Sequence, residues 1–132
     1  MKDKYLNFDR VNIISFAFLA MFSATNSAVN YSAKALEEDG FDNLGTLNMA
    51  FLYFFFAIGS FFSTALVNKM GVKTSLIVAA LTYFFWVFCF LCPAFYDKYP
   101  ERNFLMTKGF IYFIVLLSAA INGFGAGILW TA

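Results

Sequence analysis

Four apolar runs, each long enough to cross a lipid bilayer, dominate this 132-residue sequence. A helix needs about 20 mostly apolar residues to cross a hydrocarbon core about 30 Å thick. Short polar stretches separate the runs, so each helix must reverse the direction of the one before it. We therefore predict an all-α membrane protein whose four transmembrane helices run up and down, with spans at 11–33, 44–67, 74–95 and 109–132.

The composition agrees with a lipid environment and argues against several functions. The chain is 61% hydrophobic and 13% charged, whereas soluble domains carry roughly a quarter charged residues. Its net charge is +1 and it has no histidine, so neither nucleic-acid binding nor histidine-based catalysis is indicated. The sequence contains no nucleotide-binding loop, catalytic triad or metal-ligand cluster, and Cys89 and Cys92 lie in an apolar run that predicts buried, inert thiols. We expect no enzymatic activity, no cofactor and no metal.

The polar break from Thr64 to Leu76 organises the predicted bundle. Gly71 allows a tight reversal there, so the second and third spans are expected to lie antiparallel and in contact. Basic residues favour the cytoplasmic side of a membrane. We count five on the side of this break and of the 1–10 lead, against four on the other side. This balance predicts a cytoplasmic N-terminal lead. The five basic residues on its side are Lys2, Lys4, Arg10, Lys69 and Lys73, and the four on the other side are Lys34, Lys98, Arg102 and Lys108.

Small residues four apart predict two smooth helix faces. Gly59 and Ser63 form such a pair in the second span, and Gly123 and Gly127 form one in the fourth. Residues four apart share a helix face, and small side chains there let a neighbouring backbone approach closely. We therefore expect helix packing at these four residues. With too few helices to cover both faces, the isolated chain is expected to associate with another membrane chain.

Three amides are the candidate polar contacts of the spans. Asn26 and Asn30 are four apart on the first span, and Asn122 lies beside the glycines of the fourth. An unpaired amide in hydrocarbon costs free energy, so each should face another helix or a water-filled cavity. Two interpretations remain open, interhelical hydrogen bonding and contact with a ligand. No Asp, Glu, Lys or Arg lies within a predicted span, which argues against a proton relay.

Two patterns in the first span have competing interpretations. Val11–Phe22 resembles the apolar region of a secretory signal peptide, with Ala28 before a cleavage point. The apolar run continues past Ala28 and two acids dilute the basic lead, so a transmembrane helix is the favoured interpretation. The segment Asn30-Tyr31-Ser32 fits the N-glycosylation pattern, but it lies near the end of a span and is expected to be unused.

The break around Gly71 resembles the loop signature of the major facilitator superfamily. That signature joins the second and third helices and reads Gly-x-Leu-Ala-Asp-Arg-x-Gly-Arg-Arg. The residues that match it in kind are Leu66, Lys69, Gly71 and Lys73, and those that depart from it are Thr64, Asn68 and Val72. The resemblance implies a loop role for Asn68, Lys69, Gly71 and Lys73. Asn68 stands where the signature has Asp, so the charge that helps control alternating access in such transporters is missing.

From about Arg10 onward, the chain is similar to the amino-terminal part of the Unc-ninety-three-like family, membrane proteins of major-facilitator type. The most specific segment is the glycine-rich run that closes on Trp130-Thr131-Ala132. The other segments are Asn26-Ser27-Ala28-Val29-Asn30, Leu44-Gly45, Leu52-Tyr53 and Lys69-Met70-Gly71-Val72-Lys73. Members have twelve helices, so the resemblance implies that residues 11–132 form part of one major-facilitator half. The chain would then be a fragment, a truncated product or a short form.

The family resemblance implies a non-enzymatic role. Its members regulate a potassium channel by association or escort membrane receptors between compartments. The expected partners are therefore the lipid bilayer and a channel or receptor, or the remaining helices of a longer chain, and not nucleic acid. Two alternatives stay open, a fragment of a small-molecule transporter whose cavity is lined by Asn26 and Asn30, and an accessory subunit of a larger membrane complex.

Overall fold

A computed structural model describes residues 2–38, 40, 41, 43–98 and 107–132, with the backbone alone at 2–7, 97 and 98. The polar stretch between the third and fourth predicted spans is therefore largely outside the described residues, and Arg102 lies in it. Asp39 and Asp42 are also outside them, and the side chains of Lys2, Lys4 and Lys98 are not described. The helices are α1 (Lys2–Glu38), α2 (Leu44–Met70), α3 (Val72–Cys89), α4 (Leu91–Lys98) and α5 (Lys108–Thr131). The chain divides into two compact units, Met1–Tyr31 and Ser32–Ala132.

Four stretches of helix are long and apolar enough to cross a membrane: Phe8–Glu38, Leu44–Met70, Val72–Tyr96 and Lys108–Thr131. No strand occurs among the described residues. The predicted all-α fold with four transmembrane helices is confirmed. The helices also continue into the flanking polar residues. Thus α1 includes most of the N-terminal lead and continues unbroken past Ala28.

The joint between α2 and α3 is a single residue. The sequence predicts one span that ends at residue 67 and another that begins at residue 74, but both helices continue into this connection until only Gly71 remains, with φ +80° and ψ 151°. A residue with a Cβ rarely adopts this conformation. The Gly71 amide still donates to the Val67 carbonyl oxygen at 2.8 Å, and the Ser75 amide and hydroxyl donate to the Gly71 carbonyl oxygen. These bonds pair backbone groups at both helix ends, which explains why the helices extend so far.

The third membrane-crossing stretch is interrupted near its end. Helix α3 ends at Cys89, Phe90 forms a turn, and α4 begins at Leu91, so that Pro93 lies in the first turn of α4. A proline ring clashes with the carbonyl group four residues earlier, which here is that of Cys89. The break at Phe90 therefore follows from Pro93.

The fourth span, α5, is the centre of the second unit. Both α2 and α3 pack mainly on α5 and contact each other only sparingly. The close α2–α3 contact expected from the short joint is therefore not the main packing of the bundle. Three contacts between α2 or its preceding loop and α5 join residues 68 apart: Gly40 with Lys108, Gly59 with Gly127, and Ser63 with Thr131. A constant difference in residue number means that α2 and α5 run parallel and in register.

An apolar cluster closes one end of this parallel pair. Phe41 is fully buried against Tyr96 and Tyr112, with ring centroids 5.4 and 5.8 Å apart. The Lys108 ammonium lies 5.6 Å from the centroid of the Phe41 ring and 3.5 Å from the Gly40 carbonyl oxygen. The buried members of the cluster are Leu36, Phe41, Leu44, Ile111 and Val115. The cluster therefore joins the loop before α2 to the first turns of α5.

Candidate functional site

The two smooth faces predicted from the sequence pack on each other. A Cβ added at Gly127 would lie 2.8 Å from the Gly59 carbonyl carbon and 2.8 Å from the Ser60 backbone nitrogen. A Cβ added at Gly59 would lie 2.9 Å from the Phe124 carbonyl oxygen, and one at Gly123 would contact the Leu52 carbonyl oxygen. Only glycine allows α2 and α5 to approach so closely. These faces therefore need no partner from outside the chain.

Hydroxyl groups fix the register where the glycine contact ends. The Thr131 and Ser63 hydroxyls are hydrogen bonded at 2.7 Å. The Ser63 hydroxyl donates to the Ser60 carbonyl oxygen at 2.8 Å, so it accepts from Thr131. Ser63 is buried. Thr131 is a contact that the small-residue pattern did not indicate. The contact resists sliding of α5 along α2.

Asn122 of α5 faces α3. Its side chain is fully buried, and its carbonyl oxygen lies 3.5 Å from the Thr82 hydroxyl. That hydroxyl is closer to the Ala79 carbonyl oxygen, at 2.7 Å. Within the described part of the chain, the Asn122 Nδ2 atom has no hydrogen-bond partner. Gly125 lies on the same side, where a Cβ would come within 2.8 Å of the Thr82 Cβ.

A second buried amide, Asn48, is absent from the sequence predictions. The Trp86 indole N–H donates to the Asn48 carbonyl oxygen at 3.1 Å, and both side chains are buried. This bond links α3 directly to α2. The amide could not be recognised from spacing, because its partner is 38 residues away and on another helix.

Asn26 and Asn30 have a different environment, because both are exposed on α1. Neither amide forms a hydrogen bond to a described residue, whereas the nearby Thr25 hydroxyl donates to the Met21 carbonyl oxygen of its own helix at 2.6 Å. Asn30 lies inside a helix and not in a loop. The hydrogen-bond partner predicted for Asn26 and Asn30 is therefore not found among the described residues.

The residues of the loop signature lie around the α2–α3 joint. Asn68 and Lys69 are exposed in the last turn of α2, and Lys73 is exposed in the first turn of α3. Lys69 lies at a helix C-terminus, where a positive charge is favourable. Together with Gly71 they form a basic, solvent-accessible corner at one end of the bundle.

The two cysteines lie at the break between α3 and α4 and are not disulfide bonded. Cys89 is buried and lies near Ser118 of α5. Cys92 is half-buried. The burial predicted for the pair is therefore complete at Cys89 and partial at Cys92.

Comparison with known proteins finds a distant relative of this chain. UNC93-like protein 3 of Arabidopsis thaliana is 28% identical to the chain over 120 residues, a segment that covers 91% of this chain and 21% of the relative. The chain is distantly related to that UNC93-like protein. It spans about a fifth of the length of the curated relative that it matches. No family model matches the chain. No solved structure matches it either.

Proposed function

We propose that this chain is a non-enzymatic, multi-pass membrane protein that modulates or escorts a channel or receptor through helix contacts. The observation that carries the proposal is the exposure of α1. Only 6% of its most apolar window is buried, and its two mid-span amides have no partner among the described residues. Polar side chains within hydrocarbon usually bind other helices, because lipid offers them no hydrogen bonds. The UNC93-like relationship supports a membrane protein of this kind.

The test is co-purification from native membranes with Asn26 and Asn30 both changed to Leu. We expect the double variant to lose the channel or receptor that the unchanged chain retains, while its own helix content is unchanged. The matched control changes Ala24 and Tyr31 to Leu, since both are exposed and lie on another side of α1. Equal retention of the partner by the double variant and the control would contradict the proposal.

A second candidate is part of a major-facilitator-type small-molecule transporter. It is favoured by the residues around Gly71 that resemble the loop signature, and by the exposed amides of α1, which could then line an aqueous cavity. Under this hypothesis, the Asn26→Leu and Asn30→Leu double variant loses substrate binding but keeps its assembly with other chains. The first hypothesis therefore predicts that the double variant loses its partner protein, and the second predicts that it keeps it.

The proposed orientation places the N-terminal lead and the α2–α3 joint in the cytoplasm. Single cysteines introduced at Glu38 and Lys73 lie near opposite ends of α2, which is 27 residues or about 40 Å long. Both introduced cysteines are tested in a chain whose Cys89 and Cys92 are replaced by alanine. A membrane-impermeant maleimide should label Lys73→Cys from the cytoplasmic side alone and Glu38→Cys from the other side alone. Labelling of both from one side would contradict the up-and-down topology.

A further inference from the structure

The contact between α3 and α5 contains hydroxyl groups that bond within their own helices. On α3, the Thr82 hydroxyl donates to the Ala79 carbonyl oxygen at 2.7 Å. On α5, the buried Ser118 hydroxyl donates to the Val115 carbonyl oxygen at 2.8 Å. Both bonds therefore persist if the two helices move apart. The α2–α5 contact differs, because glycine backbones meet there and two hydroxyls bond across it at 2.7 Å. Of the two contacts, the one between α3 and α5 is the easier to open.

Asn122 favours an open arrangement of this contact. Its side chain is fully buried, and within the described chain its Nδ2 atom has no hydrogen-bond partner. Its carbonyl oxygen lies 3.5 Å from the Thr82 hydroxyl, whose proton is directed to the Ala79 carbonyl oxygen. A buried donor without an acceptor destabilises the closed arrangement. Residues that lower stability in this way are expected at functional sites, where the unpaired group meets a ligand.

Helix α3 has a joint at each end. The joint to α2 is the single residue Gly71, and the joint to α4 is the turn at Phe90 that follows from Pro93. Hinge motions change φ and ψ at a few residues between elements and leave the elements themselves intact. A displacement of α3 therefore needs a conformational change at these two places and none within the helix. The bond from the Trp86 indole to Asn48 keeps α3 attached to α2.

A cavity lies beside the joint at Phe90. Its volume is about 60 Å³, several times the space of about 10–15 Å³ that one water molecule needs. Cys89, which precedes Phe90, is buried near Ser118, and Ser118 is one helical turn from Asn122. The cavity therefore lies at the end of the α3–α5 contact from which Asn122 is reached. It is lined by Ser32, Ala35, Leu36, Phe90, Pro93 and Ala94.

We infer that α3 is a gate, which parts from α5 at the Phe90 end and admits a small, uncharged polar molecule to Asn122. The amide donates to this molecule, and the hydroxyl oxygens accept from it, since their protons bond to their own helices. No charged residue follows Lys73 on α3 or Lys108 on α5, so nothing in either helix would compensate a charged ligand. Water is the smallest molecule that fits this description. The gate takes no contact from the α1 amides, so it is independent of the proposed function.

Alkylation of the Cys89 thiol in native membranes measures the opening. With Cys92→Ala in the full chain, Cys89 is the single cysteine. Iodoacetamide and iodoacetate share one reactive group and differ little in size, but only iodoacetate is charged. Iodoacetamide should alkylate Cys89 well before the chain unfolds, and iodoacetate should react about tenfold more slowly or less. Exposed Lys73→Cys, in a chain with Cys89→Ala and Cys92→Ala, corrects for the intrinsic reactivities of the reagents. Alkylation only upon unfolding, or equal corrected rates for the two reagents, would overturn the inference.

Removing the polar groups should keep the gate closed. Asn122→Leu with Thr82→Val replaces an amide and a hydroxyl by apolar groups, so that water no longer stabilises the open arrangement. Iodoacetamide should then alkylate Cys89 about tenfold more slowly, with the helix content unchanged by circular dichroism. Thr82→Val alone keeps the shape of its side chain and should slow the reaction in the same direction. Asn68→Leu, at an exposed position of α2, is the matched control and should leave the rate unchanged. Alkylation of both gate variants as fast as the control would overturn the inference.

Discussion

Helices α5 and α1 are both long and apolar enough to cross a membrane, yet the amide side chain of α5 is buried and the mid-span amides of α1 are exposed. In the most apolar 18-residue stretch of each helix, 56% of the residues of α5 are buried and 6% of those of α1. Asn122 of α5 is enclosed between helices, whereas Asn26 of α1 is exposed. The two spans cannot be distinguished by hydropathy, since both are apolar runs with amides. What differs is the presence of glycine on α5, which brings backbones together and closes the space around the amide.

The largest expected effect tests whether the enclosure of α5 depends on backbone contact. Gly123→Leu places a side chain against the Leu52 carbonyl oxygen, with its Cβ 3.0 Å from the Phe56 backbone nitrogen. Neither backbone atom can move easily, so we expect the free energy of unfolding to fall by about 3 kcal/mol or more. Unfolding in mixed micelles, followed by circular dichroism, measures the change.

Two controls accompany Gly123→Leu. Ala24→Leu on exposed α1 and Gly109→Leu, where a Cβ meets nothing within 4 Å, should leave the unfolding free energy nearly unchanged. If Ala24→Leu lowered the free energy of unfolding as much as Gly123→Leu does, the prediction that close backbone contact matters for α5 and not for α1 would be wrong.

A smaller effect is expected from the buried amide that joins α2 to α3. Asn48→Leu leaves the Trp86 indole N–H without its acceptor in a site from which the chain excludes solvent. We expect a loss of about 1–3 kcal/mol in the free energy of unfolding, the usual cost of an unpaired buried donor. Asn68→Leu is the matched control, because Asn68 is on the same helix but exposed. An equal response of the two variants would mean that the Asn48–Trp86 bond contributes nothing specific.

The hydroxyl contact at the end of α5 should contribute less. Thr131→Val removes the 2.7 Å hydrogen bond to Ser63 and the 3.0 Å contact with the Gly127 carbonyl oxygen of its own helix, while keeping the shape of the side chain. Hydrogen bonds between membrane helices contribute about 0.6 kcal/mol on average, and we expect a loss of that size. Thr25→Val on α1 loses only a bond to its own helix, that to Met21, and should change the free energy less. A larger loss in the free energy of unfolding from Thr25→Val than from Thr131→Val would contradict this prediction.

The smallest effect is expected on α1 itself. Asn26→Leu, measured in dilute micelles where the chain is monomeric, should change the free energy of unfolding by less than about 0.5 kcal/mol, as exposed positions usually do. Asn122→Leu on α5 is the comparison, since its enclosed Nδ2 atom has no partner within the described chain. Removing an unpaired amide can be neutral or stabilising. A loss above about 1 kcal/mol for Asn26→Leu would show that α1 is packed in the monomer.

The sequence predicts the helices better than it predicts their neighbours. Four apolar runs were enough to place the spans, and Gly71 marked the joint between α2 and α3. The periodicity of Gly59, Ser63, Gly123 and Gly127 indicated which side of each helix is smooth. It could not show that the two smooth sides meet, because a period defines a face but not its partner. The sparing contact between α2 and α3 was missed for the same reason.

The four-residue spacing of polar residues in the sequence indicated exposed candidates more readily than buried ones. Asn26 and Asn30 stood out because they repeat after four residues. Asn48 is a single amide in an apolar run, and its importance depends on Trp86 of another helix. The break at Phe90 depends on residues close together in the sequence, since Pro93 and the carbonyl group with which it clashes are only four residues apart.

The parallel register of α2 and α5 has a consequence for biosynthesis. Gly59 meets Gly127, so the ribosome must add 68 residues before the counterpart of Gly59 exists. At about 5–20 residues per second, that delay lasts roughly 3–14 seconds. During this interval α2 has left the translocon or waits beside it with its glycine face uncovered. A chaperone that shields this face at the translocon would therefore act on α2 before α5 is made.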